Sequence, residues 1–147
     1  MTCVNGARQR GFTLIEIMVV VVIIGLLTAL VTTQVVGRID EARVTKAKQD
    51  LKQIEAALTL YRLDNSRYPT TEQGLEALVM RPSSDPQPLN WKEGGYLTRP
   101  PKDPWKNDYV YASPGENGPF DLWSLGADQR EGGEGIDADI SVWEIEQ

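Results

Sequence analysis

Five carboxylates and four glycines fall within Gly126–Asp139, and this is the stretch whose composition best suits chemistry. The acids are Asp128, Glu131, Glu134, Asp137 and Asp139, and the glycines are 126, 132, 133 and 135. Ca²⁺ takes six to eight hard oxygens from carboxylates and backbone carbonyls, on a chain free enough to wrap it. The stretch supplies both but has no EF-hand spacing. On residues alone, a Ca²⁺ loop and a solvated acidic loop both stand. Phosphate is excluded as a ligand, because these glycines sit among acids that repel it. Asp137 and Asp139 have the residue types of a glycosidase pair, but no other feature of the chain suggests a cleft around them.

Other catalytic chemistry is removed by what the chain lacks. It has no His, the commonest acid–base catalyst and metal ligand. Its one Cys is Cys3, so no intramolecular disulfide is available. The sequence reads as a non-enzyme.

A second constellation lies at the N-terminus: Gly11-Phe12-Thr13-Leu14-Ile15-Glu16. Between Arg10 and Arg38 the one charged residue is Glu16, and Ile17 to Val36 carries none. About 20 apolar residues at 1.5 Å each cross a ~30 Å hydrocarbon layer, and a lone span in lipid must be helical. A single-pass anchor over 12–36 is therefore expected. An ordinary secretory signal fits poorly: the run is too long, and Val31-Thr32-Thr33-Gln34 lacks small residues for cleavage. A third reading places processing between Gly11 and Phe12, ahead of the apolar run. Cleavage there frees the α-amine of Phe12, four residues before Glu16. A carboxylate in an apolar run calls for a partner, and in a parallel bundle Glu16 of one subunit meets the Phe12 amine of its neighbour. Leaving the two charges unpaired costs far more than pairing them, which would set axial register.

The elements that position these groups follow from periodicity. No Gly or Pro interrupts Ile39–Tyr61, and Ala47, Leu51, Ile54, Leu58 and Tyr61 recur at steps of four and three. This predicts an amphipathic helix continuing the apolar one, about 50 residues in all. Leu63-Asp64-Asn65-Ser66 and Pro69 end it. A short helix from Thr70 or Thr71 to Val79 or Met80, a turn-rich linker Pro82–Pro88 and an extended piece Tyr96–Thr98 are expected next. Asp103-Pro104 starts a turn and Trp105 anchors a core. Asp108–Ala112 and Phe120–Leu125 alternate, and the turn Pro114–Gly118 joins them as an antiparallel hairpin. Ile140–Ile145 is expected as a third strand. The fold class is α+β: one long helix packed on a small antiparallel sheet.

Roughly 110 residues follow the span, enough for one small domain. The leader holds Arg8 and Arg10 and no acid, so its removal takes the net charge from −6 to −8. That balance argues against nucleic acid as a partner. Arg38, Arg43, Lys46 and Lys48 follow the span closely, so basic residues do not settle orientation.

The leader and Gly11-Phe12-Thr13-Leu14-Ile15-Glu16 resemble a class III, prepilin-type signal. Asp64-Asn65, Arg67–Leu75, Gly95-Tyr96-Leu97, Pro101–Trp105 and Asp121–Asp128 resemble the major pseudopilins of type II secretion systems, and the likeness runs to Trp143. The resemblance implies a pilin-like fold. It divides the chain into a leader (1–11), a membrane and filament-core helix (12–36) and a periplasmic head (37–147). It implies that a prepilin peptidase on the cytoplasmic side cuts after Gly11 and methylates Phe12. It implies a homopolymer, a pseudopilus built from the inner membrane into the periplasm. Membrane lipid, minor pseudopilins and an inner-membrane assembly platform are its implied partners. In that family the acidic loop holds Ca²⁺, which assigns Asp128 and Asp139 as side-chain ligands, Asp137 as a further candidate, and the backbone oxygens of Leu125 and Arg130 as helpers. Gln129 and Thr33 stand where many members carry Gly and Pro. A type IV pilin, a minor pseudopilin and a non-polymerising membrane-anchored Ca²⁺ module are the alternatives.

Overall fold

The computed structural model describes residues 11–145, with the side chains of 30–36 left aside. Leader residues 1–10, Cys3 among them, lie outside the described residues. Packing divides the chain between Arg38 and Ile39 into two units.

Helix α1 spans Leu14–Asn65, 52 residues. In the first unit its bulky apolar side chains from Leu14 to Leu27 are exposed all round, as is Phe12 just ahead of it. Among the described residues no helix is long and apolar enough to cross a membrane. The expected span 12–36 runs through residues 30–36, whose side chains, Thr33 included, are not among those described.

The second unit holds the core. Ala47, Leu51, Ile54, Leu58 and Tyr61 are all at most 2% exposed, so the stripe read from the sequence is the buried face of α1. They share one hydrophobic cluster with Leu78, Tyr109, Tyr111, Leu122, Ile140 and Val142. The helix ends as expected. Asn65 is buried: its Nδ2 donates to the Tyr61 carbonyl (3.0 Å) and to Tyr96 Oη (3.1 Å), and its Oδ1 accepts from Asn90 N (2.9 Å). Ser66 then takes φ +60°, the left-handed turn that commonly closes a helix.

Three strands form an antiparallel sheet in the order β1-β2-β3: β1 Val110–Ala112, β2 Asp121–Ser124 and β3 Ile140–Ser141. Tyr111 pairs with Leu122, and Ser124 with Ile140. The expected hairpin is present. Trp105 packs half-buried against the core.

Three local expectations are corrected. The third strand stops at Ser141, and Val142–Ile145 forms a short helix, α2. The Ser141 hydroxyl donates to Glu144 Oε2 (2.7 Å), and Ser-x-x-Glu is a helix-start signature that outweighs the alternating apolar residues. The helix expected from Thr70 is instead a turn followed by one 3₁₀ turn, Leu75–Leu78. Thr70 and Gln73 do make the reciprocal cap, each backbone N–H reaching the other's side-chain oxygen at 3.2 Å. Gly74, at φ +58° and ψ −167°, then leaves helical space. Tyr96–Thr98 is a bend rather than an extended piece. The N–H groups of Tyr96 and Leu97 converge on a single acceptor, the Leu78 carbonyl (2.7 and 3.0 Å), so no ladder can form.

Candidate functional site

The N-terminal constellation opens α1. Thr13 precedes the first helical residue, and the Glu16 N–H reaches both the Thr13 carbonyl (3.1 Å) and Thr13 Oγ1 (3.3 Å). Threonine is a good N-cap because its hydroxyl takes one of the four N–H groups that a helix start leaves unpaired. Gly11 and Phe12 therefore lie outside the helix, in an exposed lead-in. A protease needs its scissile bond out of a helix, and Gly11–Phe12 meets that condition. Glu16 sits in the first turn, where the helix dipole favours a carboxylate.

The acidic loop is anchored at its start by a network that sequence reasoning missed. Asp103 is buried, and its Oδ1 accepts from Trp105 N (3.0 Å) and Asn107 N (2.8 Å). Its Oδ2 accepts from Ser124 Oγ (2.9 Å), which in turn accepts from Gly126 N (3.2 Å). Asn107 Nδ2 donates to the Gly126 carbonyl (3.3 Å). The Asp-Pro-Trp turn thus does more than reverse the chain: its carboxylate fixes where β2 ends and the loop begins. The signal was present in Asp103 preceding Pro104, a pattern that favours side-chain-to-backbone turns. Its partner Ser124, at the end of β2, carried no signal.

Within the loop, Asp128 Oδ1 accepts from Arg130 N (3.0 Å), and Asp139 Oδ2 accepts from Gly132 N (2.9 Å). Ala127 N donates to the Ile136 carbonyl (3.0 Å), closing the loop's base. Gln129 takes φ +60°. It thus adopts, in a non-glycine residue, the left-handed conformation that a Gly enters freely. Asp128 is exposed, whereas Asp137 and Asp139 are half-buried. Among the described residues no three His, Cys, Asp or Glu side chains come together as a metal cage. Asp128, Asp137 and Asp139 are therefore not gathered as a carboxylate triad. One atom is nonetheless suited to a cation: Asp139 Oδ1 is buried and has no hydrogen-bond partner. A buried carboxylate oxygen without a donor is costly, and a hard cation satisfies it. The orphaned Asp139 oxygen and the oxygen donors of the loop fit a hard cation such as Ca²⁺.

The phenols of the core are held neutral. Burial pushes Tyr111 up to about 12, and its hydroxyl donates to the Pro69 carbonyl at 2.8 Å. Burial likewise raises Tyr96, with the Asp64 carboxylate, which accepts its hydroxyl at 2.9 Å, adding to the effect.

Residues 34–143 match the family described as type II secretion system (T2SS), protein G, and residues 6–32 match the prokaryotic N-terminal methylation motif. The chain belongs to the type II secretion protein G family. It is 61% identical over 137 residues to type II secretion system core protein G of Pseudomonas aeruginosa, covering 93% of this chain and 96% of that protein. It is 55% identical over 139 residues to core protein G of Vibrio cholerae, covering 95% and 94%. Among solved structures it is similar to the major pseudopilin from the type 2 secretion system of enterohaemorrhagic Escherichia coli, at 44% identity and TM-score 0.65, covering 74% of this chain and 93% of that one. The α+β pilin-like fold is thus shown by sequence and structure together, and the type IV pilin and minor pseudopilin alternatives give way to the major pseudopilin. The family is structural, not enzymatic.

Proposed function

We propose that the chain is cut after Gly11 and methylated on Phe12 by a prepilin peptidase, then polymerises as the homopolymer of a periplasmic pseudopilus. The precursor is held in the inner membrane by residues 12–36, with the head 37–147 in the periplasm, and the polymer helps export folded proteins through the outer membrane. Minor pseudopilins and the assembly platform are its partners. The observation that carries this reading is the start of α1: a capped first turn, bulky apolar side chains exposed from Phe12 to Leu27, and an exposed, non-helical Gly11–Phe12 bond ahead of it. That surface is stable in lipid or against other copies of itself. Glu16, placed four residues after the new amine, supplies the one polar contact that fixes register between copies.

Ca²⁺ is part of the reading. Asp128 and Asp139 hold it, with the backbone oxygens of Leu125 and Arg130 and with Asp137 as a further ligand. The support is the buried Asp139 Oδ1 that lacks a partner, in an acidic, glycine-rich loop of a fold with no disulfide. Bound there, the ion offsets the repulsion of clustered acids and ties β3 to the loop.

The test is the intact mass of the protein purified from membranes of cells with an active prepilin peptidase. Loss of residues 1–11 with one added methyl is the expected result. A full-length mass overturns it, and leaves a single-pass anchor carrying a Ca²⁺ module.

A further inference from the structure

Two clefts of opposite charge flank the Ser113–Pro119 loop, and Pro114 lines both. The first, about 470 Å³, is basic. It is lined by Arg62, Ser66, Arg67, Tyr68 and Thr70, and by no carboxylate. Arg62 lies over the Tyr68 ring, 5.4 Å from its centroid, and Nη1 donates to Tyr68 Oη (3.3 Å). Arg67 Nη2 donates to the Gln87 carbonyl. Each guanidinium has five N–H groups, so most of these donors are left over. Neither arginine is ion-paired with a carboxylate among the described residues.

The second cleft, about 550 Å³, is acidic. Glu116, Glu131 and Glu144 stand exposed on it beside the indoles of Trp123 and Trp143, and no basic residue lines it. The indoles meet edge to face, with centroids 5.9 Å apart. Carboxylates next to aromatic faces are the surroundings a guanidinium prefers, through charge-assisted hydrogen bonds and cation–π contact.

The dividing loop is fixed, so one chain does not close this pair itself. Asp121 is buried and accepts from Glu116 N (2.8 Å) and Asn117 N (3.1 Å). Ser113 exchanges hydrogen bonds with Thr71 Oγ1 at 2.9 and 3.1 Å. A second copy of the chain, carrying the same two clefts, offers the complement of each.

We propose that the acidic rim of one copy, led by Glu131, docks on the Arg62–Arg67 cleft of a second copy. This rests on the homopolymer reading and names a contact between its heads. A cleft meeting a different cleft is a heterologous contact, which builds a ring or an open helical polymer rather than a two-fold dimer. Its charged groups reach solvent, with Arg62 and the three glutamates exposed and Arg67 half-buried, so it weakens as salt rises.

The experiment uses the full chain in membranes containing prepilin peptidase, with Cys3→Ser to remove the native thiol. Ser66→Cys and Asn117→Cys together, which leave the charged residues of both clefts in place, should give an oxidant-dependent ladder of dimers and higher multimers; neither single variant should give a ladder beyond the dimer. Separately, Arg62→Glu should lower the multimer yield about tenfold, and adding Glu131→Arg to it should restore the yield, as swapped charges re-pair. No ladder from the paired cysteines, in membranes where an amine-reactive cross-linker still gives one, overturns the contact while the polymer stands. A monomer alone with the amine-reactive reagent overturns the polymer, and this contact with it.

Discussion

The Ser124 hydroxyl donates a 2.9 Å hydrogen bond to the buried carboxylate of Asp103, tying the Asp-Pro-Trp turn to the end of β2. The other oxygen of that carboxylate takes two backbone N–H groups. Asp103→Ala leaves those N–H groups and the hydroxyl without their acceptor, and should cost about 2–4 kcal/mol. Ser124→Ala removes the bond to Asp103 and the acceptor of the Gly126 N–H, and should cost about 1–2 kcal/mol. Urea unfolding of both variants and of the double variant checks this. Because the residues share one network, the two costs should not add; simple additivity would show that they act separately.

The long-range parts of the fold were legible where the signal was periodic. The Ala47–Tyr61 stripe predicted its own burial, because one face of a helix has a fixed repeat and one apolar surface to cover. The hairpin was legible because alternation and turn residues agreed. Misses fell where short-range hydrogen bonds competed with pattern: Ser141–Glu144 turned a strand into α2, and Gly74 cut a helix short after a sound cap. In the acidic loop, residue types pointed to a cation, but the orphaned Asp139 oxygen and the Asp103–Ser124 anchor depend on which segments meet. No local pattern encodes that meeting.

Two adjacent glycines of the acidic loop should behave differently when a methyl is added. Gly132 and Gly133 both have positive φ, +86° and +95°. A Cβ on Gly132 meets open space, whereas one on Gly133 falls 2.5 Å from the Asp137 carbonyl oxygen. Both alanine variants bear backbone strain of ~1 kcal/mol. Gly133→Ala must also displace the Asp137 backbone, and should be at least 1–2 kcal/mol worse, by roughly the cost of overpacking. Equal melting temperatures would mean that the loop moves aside freely.

Alkaline stability should depend on Tyr111. Its phenol is pushed up to about 12 in the fold, against 10.0 unperturbed. Between those values the unfolded chain releases the proton and the folded chain keeps it. Stability is therefore intact below pH 10 and falls as pH rises toward 12, by up to about 1.4 kcal/mol per unit for this group. Tyr111→Phe removes the titration and also the bond to the Pro69 carbonyl. It should be about 1 kcal/mol less stable at pH 8, with a shallower loss above pH 10. Unfolding midpoints at pH 8, 10 and 11 decide it, and an unchanged slope would assign the alkaline loss to other phenols.

Ca²⁺ should stabilise the head, and the effect should run through Asp139 more than through Asp137. Asp139 brings the buried oxygen that lacks a donor, and its other oxygen already holds the Gly132 N–H, so it couples the ion to the loop backbone. Asp128 is exposed and caps the Arg130 N–H within the same loop. A ligand that binds only the folded state raises stability by about 2.7 kcal/mol at a hundredfold excess over Kd. The melting temperature of the wild-type chain should therefore rise with Ca²⁺ and fall again with a chelator. Asp128→Ala and Asp139→Ala should abolish the rise, and Asp137→Ala should reduce it. Asp139→Ala also loses a costly orphan oxygen, so without Ca²⁺ it should melt close to the wild type. Retention of the full Ca²⁺ effect in both Asp128→Ala and Asp139→Ala would place the ion elsewhere and leave the buried oxygen to a water.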